Sequence, residues 1–186
     1  MAALFPQFQV IIVPGLHNSG PGHWQSLWQA AHPECRRVEQ DDWDHPELDA
    51  WVARLDQLRA SDPRPALLVA HSFGCLTAAA SIARNPAGAA GALLVAPADP
   101  DRFGVAARLP RTPLPCPSML LASADDPWMG AAQAARWARL WGADLVETGS
   151  LGHVNADSGL GDWPDGQRHL HRLADLAQNR VMASAP

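Results

Sequence analysis

The sequence contains no tyrosine and only three cysteines among its 186 residues. The cysteines, Cys35, Cys75 and Cys116, are scattered, odd in number and never in C-x-x-C spacing. That pattern argues against a disulfide framework and fits free thiols in a reducing cytoplasm. Basic charge is not in excess: the formal net charge of -5 offers no footprint for nucleic acid or an anionic membrane. Long apolar runs are missing as well. The longest, around 87–98, is interrupted by Gly88, Gly91 and Pro97 and is unsuited to spanning a bilayer. Residues 1–6 carry no basic n-region and the apolar run after them is short, so no secretory signal is expected. No G-x-G-x-x-G follows an apolar run. Gly15 and Gly20 match the outer glycines of G-x-x-x-x-G, but Pro21-Gly22 stand where Lys-Ser/Thr is required, which argues against a nucleotide site. H-E-x-x-H is absent, and His17, His153 and Asp157 lack the clustered spacing of metal ligands. Neither a metal nor a cofactor is expected.

What is present points to a globular chain. Hydrophobic residues make up 47% and charged residues 18%, with eight tryptophans and seventeen prolines. The length suits one domain over 1–186, with a core of about 8–181. Val10-Ile11-Ile12-Val13 is apolar without alternation, as in a strand covered on both faces of a parallel sheet. After Pro14-Gly15 and a loop, Trp24, Leu27, Trp28 and Ala31 recur at helical spacing. Residues 35–39 suit a short strand. Leu48, Trp51, Val52, Leu55 and Leu58 mark a second helix, with Asp44 or Asp49 as candidate caps. Further buried strands are expected at 66–70, 92–96 and 118–122, and a last short one at 144–147. Helices follow on Leu76, Ala79, Ala80 and Ala83, on Ala134, Trp137, Leu140 and Trp141, and on Leu170, Leu173, Ala174, Ala177 and Val181. The segment 97–117 is rich in proline and charge, a length that suits a functional cover or a mobile segment. Alternating apolar strands and amphipathic helices predict an α/β fold: a single three-layer α/β/α sandwich with a mostly parallel sheet and right-handed crossovers. In such a sheet, ligands bind beyond the carboxyl ends of the strands.

Chemistry-bearing residues collect at those ends. The run Ala66-Leu67-Leu68-Val69-Ala70 leads into His71-Ser72-Phe73-Gly74 and then into a helix, so Ser72 occupies a strand-turn-helix elbow. The pattern resembles G-x-S-x-G with Ala70 in place of the first glycine; by itself it is equally the signature of an N-cap. The strand at 118–122 delivers Asp125 and Asp126, and the last strand leads to His153. The chain order serine, acid, histidine is that of the α/β hydrolases. A serine hydroxyl is a weak nucleophile near neutral pH. His153 is placed to take its proton and return it to the leaving group, and an aspartate to orient the imidazole. Asp126 is favoured as that acid because Pro127 holds it extended, and neighbours at a strand end point opposite ways. Asp125 then becomes a solvated turn residue or a helix cap. The backbone N–H groups of Leu16 and Phe73 are placed to hold an oxyanion.

Other residues carry less. His17, in the loop after the first strand, is a candidate to line the pocket or to bond backbone. Trp128 is a candidate pocket wall. His71, adjacent to Ser72, is expected to point elsewhere. His23, His32, His45, His169 and His171 have no convergent partner and are expected at the surface or at helix ends. Cys75, Trp24 and Trp28 are expected to be core.

The segments VPGLHNSGPGHWQSLW, RVEQDDWDHPELDAW, LLVAHSFGCL, ALLVAPAD, ASADDPW and GHVNADSGLGDWPDG cover most of the chain. Through them it resembles the small serine hydrolases of the retinoblastoma-binding-protein-nine and YdeN group, in its bacterial branch, within the α/β-hydrolase superfamily. The resemblance implies a compact hydrolase without a cap domain and the set Ser72, Asp126 and His153. It implies a serine hydrolase or esterase, and leaves the substrate open. A carboxylesterase on small to medium acyl esters is expected, with thioesters and amides sharing the same acyl-enzyme chemistry. The competing expectation is a protein-interaction module on the same fold, with those three residues unused. The segment 99–117 lies outside the matching stretches and is a candidate to shape the pocket.

Overall fold

A computed structural model describes residues 4–183. Strands and helices alternate as β1 (Gln9–Val13), α1 (Trp24–Ala31), β2 (Arg36–Arg37), α2 (Leu48–Ala60), β3 (Ala66–His71), α3 (Phe73–Arg84), β4 (Ala89–Val95), β5 (Ser118–Ala122), α4 (Ala131–Trp141), β6 (Asp144–Glu147) and α5 (Pro164–Ala183). The six strands form one parallel sheet in the order β2-β1-β3-β4-β5-β6.

The unbroken apolar runs have a simple cause: successive side chains of a strand point to opposite faces, and both faces are covered. Ile11, Val13, Leu68, Ala70, Leu94 and Leu120 face one core, beneath α2, α3 and α4. Val10, Ile12, Leu67, Val69, Leu93, Val95 and Leu121 face the other, beneath α1 and α5. Six of the eight tryptophans divide between them: Trp51, Trp137 and Trp141 lie in the first core, Trp24, Trp28 and Trp163 in the second. Each fully buried leucine or isoleucine contributes roughly 1.5–3 kcal/mol of transfer free energy. The side chain of Val181, expected on the inner face of the last helix, lies outside the described residues.

β1 pairs with β2 on one side and β3 on the other, so the chain departs from β1 and β3 in opposite directions across the sheet. The crevice that opens between their carboxyl ends is the topological switch point. Helix α3 approaches this point closely. All of its residues from Phe73 to Ile82 are buried, and its small Ala78, Ala79 and Ala80 let the helix lie against the sheet. At its first turn a Cβ on Gly74 would stand 2.2 Å from the Val13 carbonyl oxygen and 2.5 Å from that of Pro14. Glycine is therefore required there for close backbone approach.

Some boundaries differ from those expected. β4 begins at Ala89 rather than Ala92, and α5 begins at Pro164. The cap of α2 is Glu47, whose carboxylate accepts the Ala50 N–H, and not Asp44 or Asp49. Pro46 and the carboxylate favoured near a helix start make Glu47 suitable. Asp49 instead pairs with Arg84 and Arg108. The segment 97–117 is tied into the fold. Val105, Leu109, Leu114 and Cys116 are buried, the Trp141 indole donates to the Pro110 carbonyl, and the Leu114 N–H donates to Trp141.

Gly74→Ala is expected to cost about 3 kcal/mol or more, because backbone rather than a flexible side chain must give way. Urea denaturation measures this; an unchanged midpoint would show that the β1–α3 approach has slack.

Candidate active site

Ser72 stands between β3 and α3 with φ 54° and ψ -124°. This left-handed conformation is strained for a residue with a Cβ and costs of order 1–3 kcal/mol. It lifts the side chain out of the sheet, and Ser72 makes no side-chain cap bond to α3. The hydroxyl turns instead toward the loop after β6. Ser72 Oγ lies 2.9 Å from His153 Nε2, and His153 Nδ1 lies 2.9 Å from each carboxylate oxygen of Asp126. The side chains of His153 and Asp126 are 10% and 2% exposed. One Asp126 oxygen also accepts the Trp128 N–H at 2.8 Å, which fixes the carboxylate plane. Ser72, His153 and Asp126, expected together from the sequence, are thus joined in one hydrogen-bond chain.

Leu16 and Phe73 flank Ser72 from β1 and α3. Gly15 makes this approach feasible, since a Cβ there would lie 2.6 Å from the Ser72 Cβ. Neither Leu16 nor Phe73 contributes its N–H to the turn and loop hydrogen bonds of the described residues. The loop beyond is held in place by Gln25. This fully buried side chain donates to the Val69 carbonyl at 3.0 Å and accepts the Ser19 hydroxyl at 2.6 Å.

Asp125 has a different place from Asp126. It is exposed, accepts the Gly152 N–H at 2.8 Å and accepts the Ser123 hydroxyl at 2.8 Å. The Ser123 hydroxyl and the Gly152 N–H hold its carboxyl below the usual range. Ser123 Oγ in turn accepts the Leu151 N–H. Asp125 is therefore a tie for the His153 loop and not a helix cap, since α4 is capped by Gly130.

The same loop is gripped from the other side. Val154, a β-branched residue at φ 48°, is buried, and its carbonyl accepts the Trp24 indole N–H at 2.8 Å. Trp28 donates to the Asp162 carbonyl. His71 does not point away, as its place next to Ser72 suggests. Its ring lies 4.9 Å from that of His153, and its Nε2 donates to the His153 carbonyl at 2.8 Å. His23 stands at a helix end, one of its two expected places, but it does have a partner. It is buried, caps α1 by accepting the Gln25 N–H, and packs against His71 with ring centroids 4.7 Å apart. Burial drives both rings toward the neutral form. His71 is pushed well below the ordinary imidazole value by burial and then by His23 and His153. His23 is lowered to about 4 by burial, Arg37 and His153. Sequence order hides the contacts of these two rings with each other and with His153.

A cleft of about 280 Å³ opens over Ser72. His17 and Trp128 both line it, together with Phe103 and Ala98 from the far side. His17 is largely exposed; its Nδ1 meets Asp44 at 2.9 Å rather than backbone. Trp128, 47% exposed, has the Arg102 guanidinium over its ring at 5.8 Å. Phe103 packs edge-on against Phe73. Cys75 is fully buried beneath the elbow, and burial pushes its thiol up, away from the reactive thiolate. Among the described residues no group of three or more histidines, cysteines or carboxylates could hold a metal ion, and no helix is long and apolar enough to cross a membrane.

The parallel sheet with helices on both faces is the α/β-hydrolase fold, shared with neighbours among solved structures. The family model described as serine hydrolase matches residues 10–172, and the chain belongs to that family. A candidate YdeN-like hydrolase from Pectobacterium atrosepticum is 38% identical, with 92% of this chain and 91% of that chain covered and a TM-score of 0.86. The ydeN gene product of B. subtilis is 21% identical, with 89% and 97% covered and a TM-score of 0.72. A candidate α/β-superfamily hydrolase from Xanthomonas campestris pv. campestris is 16% identical, with 93% and 98% covered and a TM-score of 0.60. The last two are likenesses of fold alone. Comparison with curated proteins gave no match.

Proposed function

We propose that this serine hydrolase is a carboxylesterase acting through an acyl-enzyme on Ser72. The observation that carries the reading is the unbroken chain from Ser72 Oγ through His153 to Asp126, with every link at 2.9 Å. His153 Nε2 accepts the Ser72 proton as Oγ attacks the ester carbonyl, and the new C–O bond gives a tetrahedral oxyanion. The N–H groups of Leu16 and Phe73 stabilise that charge; one such donor is worth roughly 3 kcal/mol. Collapse breaks the bond to the alcohol, which leaves with the proton from His153. Water then repeats the sequence against the acyl-serine and regenerates the hydroxyl. Asp126 keeps the Nδ1–H tautomer and stabilises the imidazolium. Thioesters and amides are substrates of the same chemistry, and His17 and Trp128 are the proposed contacts to the substrate. The three cysteines, free and buried, support a cytoplasmic setting.

A fluorophosphonate probe is expected to label wild-type protein stoichiometrically at Ser72, read by intact mass and peptide mapping, and to leave Ser72→Ala unlabelled. Folded wild-type protein that takes no label would sink the acyl-enzyme reading and bring the interaction-module reading forward.

The cleft volume of about 280 Å³ is at the small end of ligand pockets, which run roughly 300–1,000 Å³. Turnover of p-nitrophenyl esters is therefore expected to be greatest for short to medium acyl chains. A maximum at palmitate would contradict this.

Asp126→Asn is expected to lower kcat by roughly 10³–10⁴-fold. The variant loses the carboxylate charge that stabilises the imidazolium, and an amide NH₂ replaces one of the two oxygens that lie 2.9 Å from His153 Nδ1, which weakens the hold on the Nδ1–H tautomer. Asp125→Asn keeps an oxygen for the Gly152 N–H and is expected to lose far less. Equal losses, or the reverse order, would reassign the acid.

A further inference from the structure

The loop that carries Leu16 is a strained turn. The Asn18 N–H donates to the Gly15 carbonyl at 3.1 Å, which closes a β-turn with Leu16 and His17 at its centre. His17, the third residue of the turn, has φ 63°, and Asn18 after it has φ 63° as well. A turn with positive φ at its third position ordinarily takes glycine there. Two adjacent left-handed residues that carry side chains persist only where their surroundings hold them. The His17 N–H donates to the Trp43 carbonyl at 2.9 Å.

Asn18 is held by Arg37, the last residue of β2. Arg37 Nη1 donates to Asn18 Oδ1 at 2.8 Å and to the Ser19 carbonyl at 3.4 Å. Its Nη2 donates to Ser26 Oγ at 2.9 Å, and its Nε to Gln29 Oε1 at 2.8 Å. Ser26 Oγ donates to the same Ser19 carbonyl at 2.7 Å, and Asn18 Oδ1 also accepts the Ser19 N–H at 2.7 Å. One rigid fork therefore ties the turn, the chain beyond it and α1 together. Each of these acceptors is neutral, although Arg37 is half-buried. Burial pushes its guanidinium below the usual range, against the pull of Glu39. Withdrawing a cation from water without a paired carboxylate is costly. In return, its hydrogen bonds are stronger than those between neutral groups.

Resting on the reading of the Leu16 N–H as an oxyanion donor, we infer that Arg37 is a positioning residue of the oxyanion hole: through Asn18 it holds the turn in which Leu16 sits. Asn18 lines the cleft, whereas Arg37 opens on the outer side of the loop, beside Pro21 and Ser26. Arg37 therefore acts on the charge that develops in the transition state and leaves the binding of an uncharged carbonyl compound unaltered.

Two ketones and one ester read this. Ser72 Oγ adds to the carbonyl of trifluoromethyl butyl ketone: a C–O bond forms, the carbonyl π pair becomes an oxyanion, and the serine proton passes to His153. Methyl butyl ketone has a similar outline and reports binding without the adduct. In Arg37→Gln, kcat/KM for p-nitrophenyl acetate is expected to fall about tenfold or more, part of what a lost oxyanion donor costs. The inhibition constant of the trifluoromethyl ketone is expected to rise by the same factor, and that of methyl butyl ketone to stay unchanged. Asn18→Gly suits φ 63° but removes the oxygen that Arg37 holds, and is expected to reproduce both losses. Adding Arg37→Gln to Asn18→Gly is expected to cost no more than about twofold further.

A folded Arg37→Gln protein with wild-type kcat/KM overturns the inference. So does equal weakening of both ketones, or an Arg37→Gln loss of the same size with and without Asn18→Gly. Should Arg37→Gln fail to fold, Asn18→Gly decides, and wild-type kcat/KM in that variant overturns the inference. Leu16→Pro separates the two levels, because proline suits the second position of the turn and lacks the N–H. A large loss in Leu16→Pro with none in Arg37→Gln removes only the role of Arg37. Wild-type kcat/KM in Leu16→Pro removes the oxyanion reading of Leu16 and this inference together.

Discussion

Between the ends of β1 and β3 there is room for backbone and for almost nothing else. Gly74 lies under the Val13 and Pro14 carbonyls, and Gly15 lies over the Ser72 Cβ. This crowding forces the chain at Ser72 into a left-handed turn and points its hydroxyl away from the sheet. The strain at Ser72 persists because both flanking elements are buried and cannot relax: β3 and the first ten residues of α3 have no exposed position.

The histidine side of the site is organised differently. The chain from β6 to α5 is a long connection containing Gly152, Val154 and Trp163 at positive φ. Loops of this kind are ordinarily the most mobile parts of a domain. Here the loop is held by hydrogen bonds to its carbonyls and amides from elements of the sheet and of α1: Trp24 to Val154, His71 to His153, Ser123 to Leu151 and Asp125 to Gly152. Several of these partners are themselves aromatic or fully buried. The position of one imidazole is thus set jointly by Trp24 and Val154 in the second core and by the polar ties from His71, Ser123 and Asp125.

Much of this was legible in the sequence because it rests on strong, local signals. Apolar runs without alternation give parallel strands, and Trp137 and Trp141 fall at helical spacing on the buried face of α4. Ser72, Asp126 and His153 could be aligned because each follows a strand and all strands of a parallel sheet end on one side. What stayed hidden depends on where loops return. No spacing rule connects Trp24 to Val154 or His71 to His153, which are 130 and 82 residues apart. His23 looked isolated because its partner, His71, lies across the switch point. The segment 97–117 reads as a cover by composition, yet Pro97 and Pro100 are buried along with Val105, Leu109 and Leu114, which anchor it, while Asp101, Arg102, Arg108 and Arg111 are on the outside.

The left-handed backbone at Ser72 also narrows what evolution can place there. A β-branched side chain is a steric outlier at positive φ. Threonine, which carries the same hydroxyl as serine, is therefore excluded by shape, whereas cysteine, which replaces the oxygen with sulfur, has serine's unbranched outline. Descendants of this chain can thus exchange the oxygen that faces His153 for a sulfur without moving the backbone. The exchange of one alcohol for another would require the turn itself to be rebuilt.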